Sequence, residues 1–187
     1  MLRVAASIDN SSLGVDAGNK RTSHRLFMTD GDTDTLQRLR GNLALNGILT
    51  VEQRSVSTGP STEGAGHQRA LSNPELSCQQ LLWGNDEAEA FLARTMIPQA
   101  NDTSTGFDLV FGSDLVYVDK VIAPLFETVR KVLKHPNGSF LMAHCIRREG
   151  NEVTIDKVLD RSQAVGLVHT IIPTEEDDVV LIKFRHS

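Results

Sequence analysis

The residues of this chain best suited to do chemistry are Asp30, Trp83, Asp114 and Tyr117, because each stands at or just beyond the end of a short apolar run. An aspartate that closes a strand, as Asp30 closes Leu26-Phe27-Met28-Thr29, can accept hydrogen bonds from both hydroxyls of a nucleoside ribose, a two-point contact no neutral side chain matches. It can equally be a turn former or an acid at a helix N-terminus. Trp83, the single tryptophan, offers a purine an aromatic face or its ring N–H, or it fills core. Asp114 and Tyr117 are separated by Leu115 and Val116, so a helical turn after Phe107-Asp108-Leu109-Val110-Phe111-Gly112-Ser113 would set both on one face. A carboxylate and a phenol so placed suit a cationic amine: the acid aligns the ammonium and helps it lose a proton, and the phenol adds a hydrogen bond or a π face. The plainer role for Asp114 is to cap the next helix.

Other chemistries find less support. His24, His67, His135, His144, His169 and His186 show no pairing at i, i+4 and no cysteine at ligand spacing, so no metal site is expected. Gly112-Ser113 lacks the further glycine of a nucleophile elbow. His144-Cys145 falls within a strand, where a packed pair is the expected role. The one G-x-G, Gly64-Ala65-Gly66, has no strand before it, and no phosphate-binding loop of the Walker type is present.

The elements that must position these residues alternate. Strands are expected at 26–29, 76–82, 107–111, 139–145, 167–172 and 179–184. Leu36, Leu39 and Leu43 define the first helix, capped by Asp32 or Thr33 and stopped near Gly47. A short helix follows at Asp86 to Arg94. Ile122, Leu125, Phe126, Val129, Val132 and Leu133 give a strongly amphipathic one with Pro124 in its first turn. Ile155, Val158, Leu159 and Val165 give another, with Asn151 as the expected cap and Gly166 at its close. Such alternation predicts an α/β fold with a mostly parallel sheet and helices on both faces, and the last two strands, joined without a helix, should pair antiparallel. In such sheets ligands collect beyond the carboxyl ends of the strands, where Asp30, Trp83 and the Gly112-Ser113-Asp114 corner stand.

The 187 residues, 40% of them hydrophobic, are expected to form one domain with a real core, interrupted at 55–75 by a Ser-, Thr-, Gly- and Gln-rich insertion expected to be disordered. Against 19 basic residues stand 24 acidic ones, with no basic stripe, so nucleic acid is not the expected partner. The cluster Asp30, Asp32 and Asp34 would tolerate a basic protein substrate. No apolar run approaches the roughly 18 residues of a membrane helix, so no membrane partner is expected. Two cysteines far apart favour a reducing compartment, and the expected location is the cytoplasm, with the nucleus as a second site.

The run Leu26–Asp30 with its helix, Leu82-Trp83-Gly84, Phe107 to Tyr117 and Pro136-Asn137-Gly138-Ser139-Phe140 together resemble methyltransferase family 16, over about residues 26 to 184. These are seven-strand enzymes that use S-adenosylmethionine, most of them to methylate protein lysines. The D-x-x-Y step Asp114 to Tyr117 is the most specific element. The resemblance implies a Rossmann-like class I methyltransferase sheet, in which Asp30 holds the cofactor ribose, Trp83 lies against the adenine and Ser113 contacts the cofactor. It sets Asp114 and Tyr117 toward the substrate amine, as the catalytic pair, and it implies a protein partner bearing a target lysine.

The family's first strand and its glycine-rich turn lie upstream of the acid equivalent to Asp30, and the chain lacks that segment; Met1 to Ser7 resembles the helix that would follow the turn. The sequence is therefore expected to be an N-terminally shortened form in which the strands ending at Asp30 and Asp114 lose their shared neighbour. The alternatives to a protein-lysine methyltransferase are a non-catalytic interaction module derived from that family and a small-molecule N-methyltransferase.

Overall fold

The computed structural model describes residues 25–51, 75–96, 105–146 and 153–187. The expected insertion at 55–75 lies outside the described residues except for Glu75, and so do Gly64-Ala65-Gly66 and Met1 to Ser7. Among the described residues six strands and four α-helices follow in chain order: β1 Arg25–Asp30, α1 Thr33–Leu45, β2 Glu75–Gln80, α2 Asn85–Thr95, β3 Leu109–Ser113, α3 Ile122–Val132, β4 Ser139–Cys145, α4 Ile155–Ala164, β5 Leu167–Ile172 and β6 Val179–His186.

β1 and β2 pair in parallel, Arg25 opposite Glu75 through Asp30 opposite Gln80. The other four strands run in the order β3-β4-β6-β5, with β3 and β4 parallel and β6 antiparallel to both of its neighbours. The fold is α/β with a mixed sheet, and the terminal hairpin is antiparallel, as a helix-free connection requires. Among the described residues no ladder joins β1 to β3, the two strands expected to share a neighbour. Side chains link them instead. Phe27 of β1 meets Phe91 of α2 and Phe107, just before β3, with ring centroids 6.1 and 5.6 Å apart. A buried phenylalanine contributes about 1.5–3 kcal/mol by burial alone, and edge-to-face pairing about 0.5–1.5 kcal/mol more.

One apolar cluster serves both sets of strands, from Phe27 and Leu81 through Phe126, Phe140 and Phe184 to Ile182. Phe126 of α3 packs on Phe184 at 5.1 Å, which seats α3 on the face of β3, β4 and β6 that carries Val110, Phe140, Met142, Ile182 and Phe184. The opposite face carries Leu109, Phe111, Leu141 and Ala143, and Phe111 is 45% exposed. Helices thus cover one face of this part among the described residues, where the sequence pattern predicts both. Leu36, Leu76 and Cys78 are buried outside the shared cluster, beneath α1 on the other face of β1 and β2.

Several boundaries differ from the sequence pattern, β2 ending at Gln80 rather than Leu82 and β6 reaching His186 rather than Phe184, and two more differ for local reasons. Thr154 caps α4, its hydroxyl accepting from Lys157 N–H at 3.5 Å, because it directly precedes the first helical residue, whereas Asn151 lies outside the described residues. β3 extends to Ser113 and begins at Leu109 rather than Phe107, which is held by a single bridge to Leu133.

Candidate functional site

The direction of the helices shows that both sets of strands present their carboxyl ends on one edge. α2 and α3 lie side by side and run the same way: Gly84, at the start of α2, bonds Thr128, and one turn on Glu89 pairs with Lys131 at 2.9 Å. Each helix returns from the carboxyl end of its own strand, β2 or β3, so the ends of β1, β2, β3 and β4 share an edge. Asp30, Trp83, Ser113 and Asp114 all stand on it.

Asp30 is the last residue of β1 and is 5% exposed. Its Oδ1 accepts the Asp32 N–H at 2.9 Å, which is the turn-forming role, while its Oδ2 is buried with no hydrogen-bond partner among the described residues. Asp32 plays a different part. Its exposed carboxylate caps α1, and its pKa lies below the ordinary value, first because the Asp34 N–H donates to it. Trp83 is half-buried, packs against the shared core and leaves its Nε1–H buried without an acceptor. Core filling and an unsatisfied donor therefore coexist in one side chain.

Such atoms are costly, about 1–3 kcal/mol each when buried without a partner. Four are found among the described side chains: Asp30 Oδ2, Trp83 Nε1, His144 Nε2 and His169 Nδ1. The first three belong to the carboxyl ends of β1, β2 and β4, and only His169, near the start of β5, lies elsewhere. An acceptor at Asp30 and a donor at Trp83 match what a nucleoside brings, hydroxyl donors on the ribose and ring-nitrogen acceptors on the base.

Asp114 is placed by backbone conformation and not by a helix. Its φ is +52°, the only positive value at a non-glycine residue among the described residues, and its N–H donates to Ala143 O at 3.1 Å. Residues 114–118 are not helical; a 3-10 turn at Asp119–Val121 precedes α3. The expected helical pairing of Asp114 with Tyr117 is thus corrected: the chain turns at Asp114 through the left-handed region, which aspartate tolerates better than most residues. Asp114 is not a helix cap either, since α3 begins after Val121 with no side-chain cap. Tyr117 is half-buried on this irregular connection, and Ser113 is exposed at the last position of β3.

His144 shows what the sequence pattern missed. It is 1% exposed and follows Phe140 and Met142 on the inner face of β4, and continuing the β3–β4 register by one residue sets it opposite Asp114. Burial lowers its pKa and the Asp114 charge works against that shift. The alternation of β4 identifies the face, but only the pairing with β3 identifies the neighbour.

No group of three or more histidine, cysteine, aspartate or glutamate residues suited to a metal ion occurs among the described residues. No helix among them is long and apolar enough to cross a membrane.

Comparison with known proteins adds a family. The family model described as lysine methyltransferase matches residues 65–161, which include Trp83, Ser113, Asp114 and Tyr117. No curated protein matches the chain. Among solved structures, a SAM-dependent methyltransferase from Bacteroides fragilis in complex with S-adenosyl-L-homocysteine is similar at 14% identity and a TM-score of 0.40, over 100% of this chain and 87% of that one. The N-methyltransferase NodS from Bradyrhizobium japonicum WM9 is 15% identical with a TM-score of 0.33, over 83% of this chain and 98% of its own. The mitomycin 7-O-methyltransferase MmcR is 13% identical with a TM-score of 0.34, over 60% of this chain; the chain spans 42% of its length.

Proposed function

The chain belongs to the lysine methyltransferase family that residues 65–161 match, and from that premise we propose that it transfers the methyl group of S-adenosylmethionine to a lysine side chain of a protein. The observation that carries the reading is the pair of buried, partnerless atoms Asp30 Oδ2 and Trp83 Nε1 on the edge that also holds Asp114. They give the nucleoside part of that cofactor an acceptor and a donor that no other group among the described residues takes up.

S-adenosylmethionine supplies a methyl group already activated on a sulfonium, which leaves as a neutral thioether. What remains for the chain is positioning: to hold the nucleoside, to bring a neutral amine in line with the methyl group and to exclude water. Asp30 accepts the ribose hydroxyls through Oδ2. Trp83 lies against the adenine and donates its N–H. Ser113 contacts the cofactor beside Asp114. The Asp114 carboxylate orients the lysine ammonium and is the base that accepts its proton, and Tyr117 shapes the entrance. The acids Asp32 and Asp34 next to this edge favour a basic segment around the target lysine.

Equilibrium titration with S-adenosylmethionine, followed by transfer of labelled methyl to lysine-containing proteins, tests this reading. Saturable binding that falls in Asp30→Ala, with label on lysine Nζ, is the expected result. Binding with label only on small amines would favour a small-molecule N-methyltransferase, and no binding at millimolar cofactor would favour a non-catalytic module.

A further inference from the structure

Thr128 lies in the second turn of α3 and has no role in the chemistry above, yet its hydroxyl holds the step that carries Trp83. The Gly84 N–H donates to Thr128 Oγ1 at 2.8 Å, and the hydroxyl donates in turn to Pro124 O at 2.9 Å, with Gly84 O at 3.3 Å as the alternative acceptor. Bonding back to the carbonyl four residues earlier is common for a helical threonine. Accepting an N–H from the start of a neighbouring helix, 44 residues away in the chain, is not.

The start of α2 shows why an outside hydroxyl is used. Gly84 precedes the first helical residue and gives α2 no side-chain cap. Its φ is +145°, a conformation L side chains rarely adopt, so a serine or aspartate cannot be accommodated without strain. Thr128, 3% exposed, takes up the Gly84 N–H from the adjacent helix instead. Trp83 is the residue before Gly84, so whatever fixes the Gly84 peptide fixes the backbone from which the indole projects.

We propose that Thr128 is a positioning residue for the cofactor: by binding the Gly84 peptide it holds Trp83 with its indole N–H toward the nucleoside. The proposal rests on the reading of Trp83 as the adenine contact. It assigns to α3, which touches no reacting group, a share of cofactor affinity, and it predicts that this share resides in a single hydroxyl.

Trp83 is the only tryptophan, so its fluorescence reports the indole without interference. The test compares wild type, Thr128→Val and Thr128→Ser by emission without ligand, by titration with S-adenosylhomocysteine and by kcat at saturating cofactor. Thr128→Val, which keeps the shape and removes the hydroxyl, is expected to shift the emission maximum and raise the dissociation constant about 2- to 10-fold, the range of one lost hydrogen bond. Its kcat at saturation is expected to stay within about twofold, since the amine side of the site is untouched. Thr128→Ser restores emission and affinity. If Thr128→Val does not fold, Thr128→Ala is read in the same way. Unchanged emission in a folded variant lacking the hydroxyl overturns the proposal, whatever the affinity. Shifted emission with unchanged affinity in both Thr128→Val and Trp83→Phe overturns the adenine contact instead.

Discussion

The carboxyl ends of β1 and β2 and those of β3 and β4 lie on the same edge but are built in opposite ways. At the first, the unusual backbone angle falls on a glycine, Gly84, and the cost is solvation: Asp30 Oδ2 and Trp83 Nε1 are buried without partners among the described residues. At the second, the cost is partly conformational: Asp114 sits at a φ of +52°, anchored by its N–H to Ala143 O. Desolvated donors and acceptors make a binding surface, because a ligand recovers the hydrogen bonds that folding gave up. A charged side chain whose Cα–Cβ direction is set by a strained backbone is aimed at one group before any ligand arrives.

If that contrast is right, substitutions at the two ends separate affinity from turnover. The largest effect belongs to Asp114→Asn, which keeps the shape and the tolerance for positive φ but loses the charge; kcat is expected to fall about 100-fold or more, with the cofactor dissociation constant within about twofold. Steady-state kinetics on a lysine substrate beside a binding titration checks it. Next comes Asp30→Asn, expected to weaken cofactor binding about 10- to 100-fold, the range for a hydrogen bond to a charged group, while kcat at saturation changes little. A loss of turnover at saturating cofactor in Asp30→Asn would erase the distinction.

The strain itself can be measured. Asp114→Gly is expected to raise stability by about 0.5–1 kcal/mol, since glycine adopts the left-handed conformation without a Cβ penalty. Denaturant unfolding monitored through Trp83 reads the change; a loss of stability would mean that the Asp114 carboxylate contributes more to folding than its backbone costs. The smallest effect concerns His144. Burial holds its folded pKa below the ordinary value of 6.5, with the Asp114 charge in opposition. Below 6.5 the unfolded chain takes up a proton that the folded chain resists, so stability is complete above that value and falls as the pH drops toward the depressed folded pKa. His144→Gln removes this slope, visible as a flatter stability profile between about pH 7 and 5.

Much of this arrangement was legible in the amino-acid order, because strand ends are marked by where apolar runs stop. Leu26 to Thr29 ends at Asp30, and Phe107 to Phe111 leads to Asp114, so the residues on the shared edge could be named from the pattern alone. Conformation at the edge could not. The spacing of Asp114 and Tyr117 fits a helical turn, and only the backbone shows that the chain leaves β3 through the left-handed region. Contacts between distant segments were hidden too. Thr128 reads as one more polar position on an amphipathic helix until its partner Gly84 is seen, and His144 reads as strand filling until β3 is set beside β4. The cap of α4 was misplaced for a smaller reason, since Asn151 and Thr154 are both good capping residues and the boundary chose between them.

The central claim is that the unpartnered atoms of Asp30 and Trp83 await a nucleoside. Calorimetric titration of S-adenosylhomocysteine into wild type, Asp30→Asn, Trp83→Phe and the neighbouring-acid control Asp32→Asn tests it most directly. One-to-one binding weakened in the first two variants and preserved in Asp32→Asn is the predicted result. Binding that is absent from the wild type, or indifferent to both Asp30 and Trp83, would contradict it.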